Sequence, residues 1–157
     1  MLQSHKKRKS LLTGGSFAIV ASTYNARYVD SMVRAAKKEL AAAGAQKIQI
    51  IRVPGAYEIP VVAARLARAA SPPLSAILCL GVIIRGATAH AQHIGEAVSQ
   101  ALVQIQVRNE IPIIHEVLLL ENAQQARERC LDPKLNRGTE AARTALEMAR
   151  VMKSLPE

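Results

Sequence analysis

The fold this sequence predicts is a single doubly wound α/β domain on a parallel sheet, and three observations predict it. Four short apolar runs alternate with amphipathic stretches of helical period. Their connections are short, and no internal repeat, low-complexity segment or linker divides the chain. The third run, Ala76 to Ile84, is apolar throughout, the pattern of a strand covered on both faces. With 157 residues, half of them hydrophobic, the chain suffices for one well-packed core and is too short for two domains of ordinary size.

In chain order, Phe17 to Ser22 reads as the first strand, ending in Thr23-Tyr24-Asn25. Asn25 is expected to cap the helix that follows. That helix places Tyr28, Val29, Met32, Val33, Ala36 and Leu40 on one face and Arg34, Lys37 and Lys38 elsewhere, and Gly44 is its expected stop. Lys47 to Val53, β-branched and alternating at first, is the second strand. Pro54-Gly55 breaks it, and Ala56-Tyr57-Glu58-Ile59-Pro60 leads into a helix through about Ala70, with Pro60 in the first turn. Ser71-Pro72-Pro73 is a surface connection to strand three, Ser75 to Ile84. Past the turn Arg85-Gly86-Ala87-Thr88, a helix carries Ile94, Ala97, Val98, Ala101, Leu102 and Ile105 at three-four spacing and ends near Asn109-Glu110. Ile111 to Leu120 is strand four, with Pro112 near its start. Glu121-Asn122 opens a short helix to about Cys130, Leu131-Asp132-Pro133 breaks the chain, and Asn136-Arg137-Gly138 precedes a last helix through Lys153.

The formal charge is +9, from 21 basic and 12 acidic residues. The first ten residues hold four of the cations and no acid, so the body keeps a milder positive balance suited to phosphorylated or anionic ligands. A nucleic-acid role lacks its second half: the chain has no Trp, one Phe and three Tyr, and no basic stretch interleaved with aromatics. The Lys6–Lys9 cluster therefore reads as a solvated tail. It mimics the start of a secretory signal, but Thr13-Gly14-Gly15-Ser16 interrupts the apolar region. No apolar run has transmembrane length. Cys79 and Cys130 lie far apart without disulfide or metal spacing, so reduced thiols and a cytoplasmic location are expected.

Open α/β sheets bind ligands at the carboxyl ends of their strands. Here those ends would bring together Ser22 to Asn25, Val53 to Glu58, Val82 to His90 and His115 to Asn122. The turn after strand three opens a helix whose free N–H groups and dipole favour a phosphate or carboxylate. Arg85 offers a cation there, Thr88 a hydroxyl that could cap the helix, and His90 an imidazole able to pass protons near neutral pH. Tyr24 and Tyr57 add flat rings and Glu58 a carboxylate, a set that suits a heterocycle beside a phosphate. Each has a plainer reading: His90 as a solvated first-turn residue, the tyrosines as half-buried packing, and Glu58 and Arg129 as partners of helix dipoles. His90, His93 and Glu96 form an i, i+3, i+6 series whose angular drift does not favour a metal site. Ser22 lacks the turn of a nucleophile elbow, and the glycine patterns for dinucleotides and nucleoside triphosphates are missing.

Taken jointly, four motifs resemble the lumazine synthase family of riboflavin biosynthesis: Ala21-Ser-Thr-Tyr-Asn25, Val53-Pro-Gly-Ala-Tyr-Glu-Ile-Pro60, Gly81-Val-Ile-Ile-Arg-Gly-Ala-Thr-Ala-His90 and Asn136-Arg-Gly-Thr-Glu-Ala-Ala142. The match runs from about Phe17 to Leu155, and the second and third motifs together are highly specific. The resemblance implies a flavodoxin-like three-layer α/β/α sandwich with a four-stranded parallel sheet, residues 17–157 as one domain and residues 1–16 as a segment that is flexible or adds a strand to a neighbour's sheet. It implies condensation of 5-amino-6-(D-ribitylamino)uracil with 3,4-dihydroxy-2-butanone 4-phosphate, through a Schiff base, phosphate elimination and ring closure, with no metal or organic cofactor.

By position, the resemblance implies that Tyr24 stacks on the pyrimidine where the family usually has Phe. Ala56, Tyr57 and Glu58 would line the pyrimidine and ribityl site, and Val82, Ile83 and Ile84 would contact the ring. Ala87 and Thr88 would hold the phosphate, joined by Arg129, to which the resemblance gives the contact in place of Arg85. His90 would be the proton donor and acceptor. The family's site lies between neighbours in a pentamer, so His115, Arg129 and Arg137 would reach it from the adjoining chain. His115 stands where Phe is usual, and Arg137 replaces a common Lys. The segment between Cys130 and Asn136 lacks a glycine-rich link, leaving pentamer, decamer and sixty-subunit shell open; riboflavin synthase is the implied protein partner. A pyrimidine- or flavin-binding protein without catalysis and a basic scaffold are the competing classes, and His90 argues against the first.

Overall fold

The computed structural model describes residues 14–157; the Lys6–Lys9 segment lies outside the described residues. Strands β1 (Ser16–Ser22), β2 (Lys47–Val53), β3 (Ala76–Ile84) and β4 (Ile113–Leu120) form an all-parallel sheet in the order β2-β1-β3-β4. Helices α1 (Ala26–Ala42), α4 (Ala123–Cys130) and α5 (Arg137–Ser154) cover one face, and α2 (Ile59–Ala69) and α3 (His90–Asn109) the other. The strand order is that of a flavodoxin-like fold with four strands, as expected.

Strand alternation sorts side chains between the two layers. Phe17, Ile19, Leu78 and Leu80 enter the layer beneath α1 and α5, beside Met32, Leu40 and Leu146. Val20, Ile77 and Cys79 point the other way, against Ile59, Val98 and Leu102. The continuous apolar run of β3 therefore reflects burial from both sides. β2, an edge strand among the described residues, keeps Lys47, Gln49, Ile50 and Arg52 exposed.

β1 starts at Ser16 rather than Phe17, β3 at Ala76 rather than Ser75, and α5 ends at Ser154 rather than Lys153; three further departures have a local cause. β4 begins at Ile113 rather than Ile111, because Pro112 has no N–H to donate; its carbonyl still accepts from the Ile77 N–H at 2.9 Å. Ala56–Glu58 forms a 3-10 turn before α2 rather than the helix's first turn. Asn25 precedes α1 but its side chain does not cap it: the residue is left-handed at φ 57°, and its Nδ2 donates to the Val82 carbonyl at 2.7 Å. Gly44 does terminate α1, at φ +84°, where a side chain would be strained.

The joint of α1, α4 and α5 depends on one buried amide. Asn136 caps α5 by accepting from the Gly138 N–H at 2.8 Å, and its Nδ2 donates to the Cys130 carbonyl at 2.7 Å, which also accepts from Ser31 Oγ at 2.6 Å. Gly138 lets the two helices touch, since a Cβ there would overlap the Met32 backbone carbonyl. Both cysteines are free and buried. Burial pushes the Cys79 thiol up to about 12. Burial, aided by the Glu116 carboxylate and opposed by Arg129, pushes Cys130 up to about 11.

Two outcomes follow from this packing. Gly138→Ala should destabilise the fold by about 3 kcal/mol in urea unfolding, because the obstacle is backbone and cannot rotate away; wild-type stability would contradict the close approach. A disulfide thiol reagent should leave Cys79 and Cys130 unmodified in native protein and label both in denaturant. Rapid native labelling would be incompatible with the burial described.

Candidate active site

β1 and β3 are neighbours, but their connections leave in opposite directions, to β2 and to β4. The crevice at their carboxyl ends is the topological switch point of the sheet. A cleft of about 900 Å³ opens there, lined by Tyr24, Asn25, Gly55–Glu58, Val82–Ile84, Gly86, Thr88, His90 and the next turns of α3. The loops around it are joined by hydrogen bonds: Thr23 N–H to the Val53 carbonyl at 2.7 Å, Tyr24 N–H to the Pro54 carbonyl at 3.1 Å, and Asn25 to Val82.

Within the cleft the apolar floor comes from the end of β3. Val82 is buried in the α1 layer and Ile83 and Ile84 are half-buried. Tyr24 and Tyr57 stand on the rim, 74% and 66% exposed, so neither is packing against the core. Ala56 is buried in the layer of α2 and α3. Glu58 is exposed, and its Oε2 accepts from the Gly55 N–H at 2.9 Å, which fixes the 3-10 turn instead of the dipole of a longer helix.

The β3–α3 turn closes the other end. Gly86, Ala87 and Thr88 are exposed, and α3 starts without a side-chain cap or an acidic residue in its first turn. Thr88 Oγ1 lies 3.4 Å from the His90 N–H, too long to satisfy it well. First-turn N–H groups are therefore available to an anion, and the His90 imidazole faces the same cleft. Arg85 does not complete this seat. Its Nε pairs with Glu121 at 2.7 Å and its Nη2 donates to Gln92 Oε1, drawing it toward β4. Among the described residues lining the cleft there is no Lys or Arg.

Besides Arg85 and Ala87, three residues singled out from the sequence are not among those lining the cleft. His115 is only the third residue of β4, in register with Cys79, and does not reach the carboxyl edge with the other strand ends. Its Nδ1 accepts from the Val117 N–H at 3.1 Å, so Nε2 carries the proton and donates to Ser99 Oγ at 2.7 Å; Ser99 in turn donates to the Gly95 carbonyl at 2.8 Å. Desolvation of this partly enclosed ring lowers its pKa and favours the neutral form. Arg129 is exposed on α4 and makes no ion pair with a described residue. Arg137 is committed: its Nε and Nη2 grip Glu116 at 3.1 and 2.9 Å, and Nη1 holds Glu140 at 2.9 Å. Burial pushes the Glu116 carboxyl up, while Arg137 pulls against that shift.

Sequence reasoning missed Asn25 as the tie across the strand ends, because its favoured role as a cap hid the alternative. It also left His93, Ile94 and Ala97 out of the site, although their i+3, i+4 and i+7 spacing from His90 puts them on one helix face and into the cleft. The third member of the His90, His93, Glu96 series turns elsewhere: Glu96 Oε1 accepts from Gln92 Nε2 at 2.6 Å and lines a separate groove along β4.

A flat polar heterocycle between tyrosine rings and an anion at a helix N-terminus are what this cleft can hold, with an imidazole between them. Comparison with known proteins points the same way. Residues 14–153 match the family model described as 6,7-dimethyl-8-ribityllumazine synthase. The chain is 42% identical over 142 residues to the 6,7-dimethyl-8-ribityllumazine synthase of Stenotrophomonas maltophilia (strain R551-3), covering 89% of this chain and 90% of that one. The protein of the same name from Xanthomonas euvesicatoria pv. vesicatoria (strain 85-10) is 39% identical over 146 residues, covering 92% and 94% of the two chains. By sequence and by fold, this chain belongs to the 6,7-dimethyl-8-ribityllumazine synthase family.

Proposed function

We propose that this chain condenses 5-amino-6-(D-ribitylamino)uracil with 3,4-dihydroxy-2-butanone 4-phosphate to give 6,7-dimethyl-8-ribityllumazine, phosphate and water, a step of riboflavin biosynthesis. The observation that carries this reading is the convergence, in one switch-point cleft, of exposed tyrosines, an uncapped helix N-terminus and His90. Tyr24 stacks on the pyrimidine, while Ala56, Tyr57 and Glu58 bound the pyrimidine and ribityl chain. Val82, Ile83 and Ile84 support the ring from below. Ala87 and Thr88 take the phosphate through first-turn N–H groups and the hydroxyl. His90 moves protons during imine formation and phosphate elimination. Holding two small reactants face to face supplies much of the rate. The reaction is redox-neutral, so it calls for no redox cofactor.

A phosphate needs more positive charge than the cleft's own residues offer, since Arg85 is held by Glu121. That shortage supports a site shared between subunits of a homopentamer, or an assembly of pentamers. Arg129 of the adjoining chain then supplies the cation and its His115 a stacking ring. A neutral imidazole tied at both nitrogens is suited to stacking rather than proton transfer. Arg137, held by Glu116 and Glu140, shapes that surface instead of reaching the ligand. We read the domain expected at 17–157 as the catalytic domain, with Ser16 added as the first residue of β1. The basic segment before it is flexible or pairs with a neighbour, for which the exposed edge β2 offers a place. A cytoplasmic location is in keeping with two free, buried cysteines and with the finding that no described helix is long and apolar enough to cross a membrane. Riboflavin synthase, which consumes the product, is the protein partner this reading calls for.

Mixing purified protein with both substrates should yield lumazine fluorescence and phosphate above the uncatalysed rate; failure of both sinks the proposal. His90→Ala should slow turnover by roughly 10²–10⁴-fold, and an unchanged rate would remove His90 from the mechanism. Arg129→Ala and His90→Ala subunits, each impaired alone, should regain activity when co-assembled, because some interfaces then hold both wild-type residues. No recovery in verified mixed oligomers would count against a shared site.

A further inference from the structure

We propose that His93 is a second proton-handling residue of the cleft and works with His90 on the same reactants. The proposal rests on the function proposed above and extends it to a residue outside the set already named. On α3 the residues lining the cleft are His90, Ala91, His93, Ile94 and Ala97, and all but Ala91 fall on one i, i+3, i+4, i+7 stripe. Such a stripe is ordinarily apolar. Here its first two positions carry imidazoles, while the apolar contact of α3 with the sheet comes from Val98 and Leu102, with Ile94 and Ile105 packed beside them. Residues at i and i+3 stand about 5–6 Å apart at Cβ, so both rings can reach one reactant lying across the helix start.

His93 is exposed, so core packing does not account for it. Its own helix offers no carboxylate partner in the cleft, because Glu96 is turned to Gln92. The titratable groups that face it are His90 on α3, Tyr57 and Glu58 from the 3-10 turn, and Tyr24 from the β1–α1 loop. Glu58 is occupied by the Gly55 N–H, and Arg85, at the end of β3, is paired with Glu121. The two imidazoles are thus the groups of the cleft best suited to move protons near neutral pH.

Imine formation uses two proton transfers at adjacent atoms. In the tetrahedral carbinolamine, the C–O bond breaks as its oxygen takes a proton from one imidazolium and leaves as water. The nitrogen gives its proton to the other, neutral imidazole, and the N–H electron pair becomes the second bond of C=N. One ring ends neutral and the other protonated, and exchange with solvent resets the pair. A single imidazole would have to perform both transfers in sequence.

The test is the pH dependence of kcat and KM, followed by lumazine fluorescence and phosphate release, for wild type, His93→Asn and His93→Gln. Either substitution keeps a polar side chain at an exposed position and cannot act as an acid–base group near neutral pH. Both should lower kcat about 100-fold with KM within about threefold, at the lower end of what one acid–base group contributes. Both should also remove one ionisation from the pH profile. An unchanged kcat, or a raised KM with the wild-type pH profile, would overturn the proposal and leave His93 as a wall of the cleft. An active wild type with indifferent variants sinks this inference alone. A wild type that makes neither product sinks the function as well.

Discussion

The adjacency of β1 and β3, with crossovers departing to opposite sides, is the constraint on which the cleft depends. Where two connections diverge, no helix crosses the strand ends, and the ends stay open to a ligand. Burial of these strands on both faces makes that opening rigid: Phe17, Ile19, Val20, Ile77, Leu78 and Leu80 are all fully enclosed. The loops above inherit this rigidity through short polar ties, chiefly Asn25 to Val82 and Thr23 and Tyr24 to the β2 end. Residues that line the cleft are thus loop, strand-end and first-turn residues on a stiff base, the arrangement that orientation-driven chemistry requires.

Charge is distributed in a way that net charge does not reveal. The chain carries +9 formally, yet Arg52, Arg85, Arg137 and Arg143 are each held by a carboxylate of the same chain. The uncapped N-terminus of α3 is left as the positive feature of the cleft, and Arg129 stands exposed on the far edge. A cleft without a Lys or Arg of its own, together with exposed Arg129 on α4, is in keeping with the proposal of subunits that complete one another. The Glu116–Arg137 pair belongs to the same logic. Its bidentate geometry satisfies a carboxylate buried at the sheet edge, and losing either partner would strand the other.

Much of this was legible before any coordinates. The strands, the helices and the two-sided burial of β3 follow from periodicity, and the bounds differ by a residue at several ends and by more where Pro112 and the 3-10 turn at Ala56 intervene. The grouping of Tyr24, Tyr57, Glu58, Thr88 and His90 was visible because parallel strands must present their carboxyl ends together. Residues whose roles depend on long-range partners were not legible. Asn25 looked like a cap, Arg85 like a ligand cation, and His93 like part of a dismissed metal series. Each reading changed with a neighbour remote in sequence or on another face: Val82, Glu121 and the cleft wall.

Periodicity and local turn chemistry are properties of adjacent residues, so the sequence by itself determined the α/β class, the element order and the family motifs. Strand order, the direction of each side chain and the pairing of charges depend on residues tens of positions apart. Only the tertiary structure could show why the uncapped start of α3 has no cation from its own turn: Arg85 is captured by a carboxylate 36 residues away.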